Sequence, residues 1–206
     1  MAAKSVVMRF TSSATGISKL EEASPPVAIF EVAEVTGREA LSELYVFDIK
    51  LYSEDSFIDG AKLINKRAVL EIEYDGDVAL YHGIVASFEA ELMGFYRVSL
   101  VPALWLAGLT RQCQIFLEKD VKTIVEDVLK ENGMKLDDDF SIVLKGKHPV
   151  REYTVQYEET DLNFIRRLME HEGIYFWFEH GEKKEKLVIR DIKDAHGKFR
   201  DDDEVL

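Results

Sequence analysis

The chain has 206 residues, room for one large or two small domains at about 100–150 residues each, and 47% of them are hydrophobic. A chain of this size buries roughly 70% of the surface its unfolded form exposes, so a core forms without staples. The single cysteine, Cys113, excludes an intrachain disulfide. Twenty-six basic against 39 acidic residues give −13 at neutral pH, which excludes a phosphate-tracking surface and with it nucleic acid as a partner. The deficit is even: residues 1–108 hold 9 basic and 16 acidic groups, residues 109–206 hold 17 and 23.

From Val6 to about Leu106 the dominant period is two. Val27–Val35, approached by Pro25-Pro26, is the first clear strand after the start. In Tyr45–Tyr52 the residues Tyr45, Phe47, Ile49 and Leu51 share one side, as expected of a half-buried strand. In Val69–Tyr74, Leu70 and Ile72 oppose Glu71 and Glu73. Asp75-Gly76 follows at once and Val78–Glu91 resumes the apolar pattern, which predicts a hairpin. Phe95–Val101 adds another strand, and Pro102, with no N–H for a ladder, marks its end, an edge or a bulge. Five or six strands in about 100 residues predict a small barrel or sandwich.

Around Gly108 the period changes. Val121, Ile124, Val125, Val128 and Leu129 fall on one helix stripe, with Asp120 as N-cap and Gly133 as the residue past the end. After Asp137–Asp139 come two short strand-like runs, Phe140–Leu144 and Tyr153–Tyr157. A second helix begins at Thr160, presents Leu162, Ile165, Leu168 and Met169 on one face, and stops at Gly173. Ile174–Phe178 is a dense aromatic strand with Leu187–Ile192 as its partner. In it Tyr175 and Trp177 point one way and Phe176 and Phe178 the other, so one face packs locally and the other needs cover. The final Asp-Asp-Asp-Glu-Val-Leu has no periodicity.

Signatures of chemistry are sparse. Gly-rich phosphate loops, a G-x-S-x-G elbow and C-x-x-C are all missing from the sequence. His171-Glu172 with His180 fails the four-residue spacing of a zincin, because Gly173 and an extended run intervene. Cys113 and His148 could be drawn as nucleophile and base, but nothing in the sequence orients the imidazole. Adjacent carboxylates such as Glu158-Glu159 are the background of an acidic chain. No window approaches the ~18–20 apolar residues of a membrane-spanning helix, and the start carries no signal-peptide h-region. The reading is assembly in the cytoplasm, with export by a machine that needs no signal peptide.

Two segments carry a resemblance. IFLEKDVKTIVEDVLKENG, and then REYTVQYEETDLNFIRRLMEHEGIYFWFEH, resemble the N-terminal hub region of VgrG proteins, the type VI secretion spike, and the baseplate hub proteins of contractile-tail phages. The second is the specific one. Its motif positions are Arg151, Glu152, Tyr153, Gln156 and Tyr157, then Asp161, Phe164, Arg167 and Leu168, then Glu172, Gly173, Ile174, Tyr175, Phe178 and His180.

The resemblance implies an α+β, β-rich fold. Residues 1–108 would be a first tube-like β-barrel, residues 109–172 an α/β domain with helices near 120–132 and 160–172, and residues 173–206 the opening strands of a following segment. It implies a structural role, no catalysis, and no cofactor or metal. The partners implied are other copies in a trimer, a hexameric inner-tube protein with baseplate proteins, and effectors or adaptors on later parts of such proteins. Members of the family continue for several hundred residues, so this chain reads as a piece of a longer protein. Thr160 caps the second helix, Asp161 sits at its positive end, Phe164 and Leu168 anchor it, and Gly173 permits a left-handed exit. Direct membrane contact is not expected of an acidic chain without a basic amphipathic helix. The competing reading is a ligand- or metal-binding module or an enzyme of the same topology, which would gather His148, His171 or Cys113 with a carboxylate.

Overall fold

The computed structural model describes residues 6–25 and 28–192. Pro26, Val27 and the acidic end at residues 193–206 therefore lie outside the described residues. The chain divides into two compact units, Met1–Leu106 with Phe178–Lys186, and Ala107–Trp177 with Leu187–Leu206. Of residues 173–192, Phe178–Lys186 group with the first unit and the others with the second.

The first unit is a six-stranded antiparallel sheet built from β1 (Val6–Ser12), β2 (Glu31–Arg38), β3 (Val46–Tyr52), β4 (Arg67–Tyr74), β5 (Asp77–Ala90) and β6 (Phe95–Val101). The spatial order is β1-β4-β5-β6-β3-β2, and the sheet curls so that its edge strands β1 and β2 approach each other. The curl has local causes. β5 pairs with β4 from Asp77 to Ile84 and with β6 from Ile84 to Ala90, with a bulge between Val85 and Ser87 just past the handover. Gly83 stands at that corner, where a Cβ would lie 2.4 Å from the Val101 carbonyl oxygen, so only glycine lets the backbones cross this closely. Asp75 and Gly76 both have positive φ, the conformation of a two-residue hairpin loop between Tyr74 and Asp77.

Alternation fills the interior. Tyr45, Phe47, Ile49 and Leu51 are buried with Phe10, Leu70, Val98 and Leu100. On the outside, Arg9 on β1 pairs with Glu71 and Glu73 on β4. Pro102 ends β6, and a 3-10 turn over Ala103–Gly108 follows.

In the second unit, β7 (Arg111–Lys119) and β9 (Arg151–Thr160) form an antiparallel ribbon. α1 (Val121–Glu131) and α2 (Asp161–His171) pack on each other and on the ribbon. Asp120 accepts the Thr123 N–H at 2.8 Å and Thr160 the Asn163 N–H at 3.2 Å, so both expected N-caps form. Gly133 and Gly173 have φ of +80° and +69°, just past the two C-termini. The five apolar residues of the α1 stripe are all buried, each contributing about 1.5–3 kcal/mol. β8 (Phe140–Val143) lies parallel to β11 (Glu185–Arg190), which is in turn paired with β10 (Tyr175–His180). Phe176 is fully buried, while Tyr175 and Trp177 are half-buried and stack at 5.9 Å.

Candidate functional site

The fifteen motif residues form no single constellation. They divide into a buried polar bridge, a charged node, an aromatic anchor, a ribbon face, and two residues that belong to the first unit.

The bridge joins three element ends. Gln156 on β9 is 1% exposed and donates through Nε2 to Asp161 Oδ1 at 2.8 Å; the other carboxylate oxygen accepts from Asn132 Nδ2, also at 2.8 Å. Asn132 is the C-cap of α1 and its amide also reaches the Val128 carbonyl at 2.9 Å. One buried carboxylate thus ties the start of α2 to the end of α1 and to β9, where leaving it without donors would cost about 1–3 kcal/mol.

The charged node centres on His148. Its Nδ1 lies 3.2 Å from Glu172 Oε2 and its Nε2 3.0 Å from Asp191 Oδ2. Carboxylates only accept, so both ring nitrogens must donate and the ring is an imidazolium. The hydrogen bond to Asp191, helped by Glu172, holds the His148 pKa above its ordinary value against the burial of the ring. Arg151 binds the other oxygen of Glu172, and Arg151 first, then His148, lowers the Glu172 pKa. Burial pushes Asp191 up, but the backbone N–H groups of Lys145 and Gly146, at 2.9 and 2.7 Å, and the imidazolium outweigh it and hold Asp191 below its ordinary value. Every group here is saturated by another, which gives a clamp and leaves no poised base.

Phe164, wholly buried on α2, stacks on Phe116 of β7 at 5.4 Å and 18° between planes, with Leu168 buried on the same helix. Arg167 lies over the Phe164 ring and pairs with Glu159. Ile174 is buried, and the Tyr175 hydroxyl donates to the Ile192 carbonyl. Glu152, Tyr153 and Tyr157 are exposed on β9.

Phe178 and His180 belong to the first unit. Phe178 meets the Tyr45 ring edge-on at 5.1 Å, and His180 packs on Tyr45 and Tyr81 at 5.0 and 5.2 Å. His180 Nδ1 accepts the His82 backbone N–H at 3.1 Å and so carries no proton there. Burial, with the neighbouring His180, lowers the His82 pKa, although Gly181 opposes this. Nearby, the buried carboxylate of Glu185 receives Arg67 at 2.7 Å and the Ala103 N–H at 3.2 Å.

The alternative constellations are not assembled. His171 is exposed at the end of α2, Glu172 is committed to Arg151 and His148, and His180 sits among first-unit aromatics. Cys113 is exposed on β7, its sulfur near the Glu158 N–H at 3.4 Å, while His148 lies between its two carboxylates. No group of three or more metal-ligating side chains occurs among the described residues. Sequence reasoning missed His148 with Asp191 and His180 with His82, because the partners lie 43 and 98 positions apart and no local spacing announces them.

The motif residues of this β-rich fold tie its elements together through buried hydrogen bonds, ion pairs and ring stacking. Residues 38–206 match the model of the phage tail baseplate hub (GPD) family, and the chain belongs to that family. Among its relatives, the type VI secretion system spike proteins VgrG1b and VgrG1c of Pseudomonas aeruginosa are 35% and 36% identical over 173 residues, 82% of this chain and 23% of each of theirs. The E. coli c3393 protein, a type VI secretion component described as structurally similar to T4 bacteriophage tail proteins gp27 and gp5, superposes with a TM-score of 0.77 at 26% identity, over 92% of this chain and 51% of that one. A Francisella PdpA-VgrG complex shares the fold, with a TM-score of 0.56 at 15% identity, over 94% of this chain and 32% of that one. The chain thus spans less than a quarter of the length of the curated spike relatives named here.

Proposed function

We propose that this chain is the N-terminal hub portion of a type VI secretion spike and acts as a structural component of a contractile, phage-tail-like apparatus. The observation that carries the reading is the identity of about 35% to spike proteins over 82% of the chain, combined with motif residues of which all but the exposed Glu152, Tyr153 and Tyr157 are committed to packing, backbone turns and ion pairing. Saturated groups such as His148, Glu172 and Asp191 hold the fold and have no free valence for chemistry. One relative, the actin cross-linking toxin VgrG1 of Vibrio cholerae, is 32% identical, but this chain covers only 14% of it, and nothing in the matching region requires that activity here.

On this reading the chain acts within a trimer and docks to a hexameric inner tube and to baseplate proteins, with effectors or adaptors attached through other parts of the spike. It assembles in the cytoplasm and leaves through the apparatus without a signal peptide. All motif residues are assigned structural roles. The test is an in-frame deletion of the codons for residues 6–192 in the producing strain. Loss of tube protein from the culture medium, restored by the complete gene, supports the proposal. Undiminished export of tube protein by the deletion strain overturns it.

A further inference from the structure

Asn132 is followed by Gly133, whereas the other two asparagines, Asn65 and Asn163, are followed by Lys66 and Phe164. An asparagine converts to aspartate when the next backbone nitrogen attacks its side-chain carbonyl carbon, and a following glycine, with no Cβ in the way, offers the least hindered nitrogen. In that step the Gly133 nitrogen bonds to Asn132 Cγ, the Cγ–Nδ2 bond breaks, and the proton shed by the attacking nitrogen leaves with Nδ2 as ammonia. Water then opens the cyclic imide to aspartate or isoaspartate. Gly133 is exposed and Asn132 half-buried, so solvent reaches the pair. The same glycine is demanded by the backbone: its φ is +80°, the left-handed exit from α1, although a Cβ there would meet nothing within 4 Å.

The fold holds this pair out of reaction. Asn132 Nδ2 donates to the Val128 carbonyl at 2.9 Å and to Asp161 Oδ2 at 2.8 Å, which fixes the side chain against the helix end. Ring closure needs the Gly133 nitrogen on the same side as the Asn132 side chain. At φ −81° and ψ 13° it is turned the other way, and its N–H is spent on the Lys130 carbonyl at 2.9 Å. Those hydrogen bonds must open before the ring can form. The product cannot restore them. An aspartate at this position has no side-chain N–H and sets a second carboxylate against Asp161, which only accepts, so Gln156 is left as the side-chain donor to Asp161 among the described residues.

We infer that Asn132 is the deamidation site of this chain, gated by its hydrogen bond to Asp161, and that conversion there irreversibly releases the end of α1 from the start of α2. The inference does not depend on the spike reading. It is tested on the full chain aged in mildly alkaline buffer and read by peptide mass mapping. Conversion falls at Asn132 and proceeds at least about tenfold more slowly than in a free Lys130–Lys135 peptide, because local opening must precede it. Asp161→Ala brings the rate up toward that of the peptide. Ile49→Ala, a destabilising change in the first unit, does not, which separates a local gate from global unfolding. The product mimic Asn132→Asp lowers the amide hydrogen-exchange protection of α2 and leaves that of β3 unchanged. Conversion of the native chain at the peptide rate, no conversion at Asn132 in the Asp161→Ala variant, equal acceleration by Ile49→Ala, or undiminished protection of α2 in Asn132→Asp would each overturn the inference.

Discussion

The barrel sheet of the first unit and the β7–β9 ribbon of the second are both antiparallel and both alternate with period two, yet they spend that alternation oppositely. In β3 the apolar series Phe47, Ile49 and Leu51 turns inward and is buried. In β9 the series Tyr153, Val155 and Tyr157 turns outward, and the inward positions are Thr154 and Gln156. Period therefore reports strand geometry, and it says nothing of which face is the core until a second layer is known. The curled sheet wraps its own apolar interior. The ribbon is held from behind by a polar bridge and two helices, and its apolar side is exposed.

The two units also use histidine oppositely. His148 is held charged between Glu172 and Asp191, whereas His180 uses an unprotonated Nδ1 to hold the His82 backbone, beside a His82 whose pKa is depressed. For His148 the folded pKa is raised, so its stabilisation is complete below the unfolded value near 6.5 and is lost as pH rises through the raised value. For His82 the folded pKa is lowered, so its contribution is present above 6.5 and is lost as pH falls toward the lowered value. The two histidines therefore contribute to stability with opposite pH slopes.

The largest expected effect is in the barrel. Ile49→Ala, at a fully buried position, should lower stability by about 3 kcal/mol in a denaturant titration. Next comes the charged node: His148→Gln strands part of two carboxylates and should cost about 2 kcal/mol below pH 6.5, with the difference from wild type shrinking as pH rises through the raised imidazole pKa. A pH-independent difference would break the contrast between the histidines. Asp120→Ala removes the cap of α1 and should cost about 1 kcal/mol, read as lost helical circular dichroism on heating. Ile115→Ala, on the outward ribbon face, should change stability by less than about 0.5 kcal/mol. A loss at Ile115 comparable to that at Ile49 would mean that the ribbon face is core after all.

Much of this fold could be read directly from residues. Alternation picked out the inner faces of β3 and β4, Asp75-Gly76 marked the hairpin, and Asp120, Thr160, Gly133 and Gly173 bounded both helices, because each of these is a local backbone preference. β7 was not recognised, since Gln112, Gln114 and Phe116 inward against Cys113, Ile115 and Leu117 outward give no clean polar face. The handover of β5 between β4 and β6 and the parallel pairing of β8 with β11 depend on long-range closure and leave no local signal. Of the candidate site, the anchoring roles of Asp161 and Phe164 could be anticipated from helix position. The partners of Gln156, Glu172 and His180 come from distant segments and could not.

The account is tested most directly by a cryo-electron microscopy reconstruction of the complete protein assembled on its inner tube. It predicts the curled sheet of the first unit seated against the tube ring and His148 enclosed by Glu172 and Asp191 alone. A barrel remote from the tube, with a bound ligand or metal at His148, would contradict it.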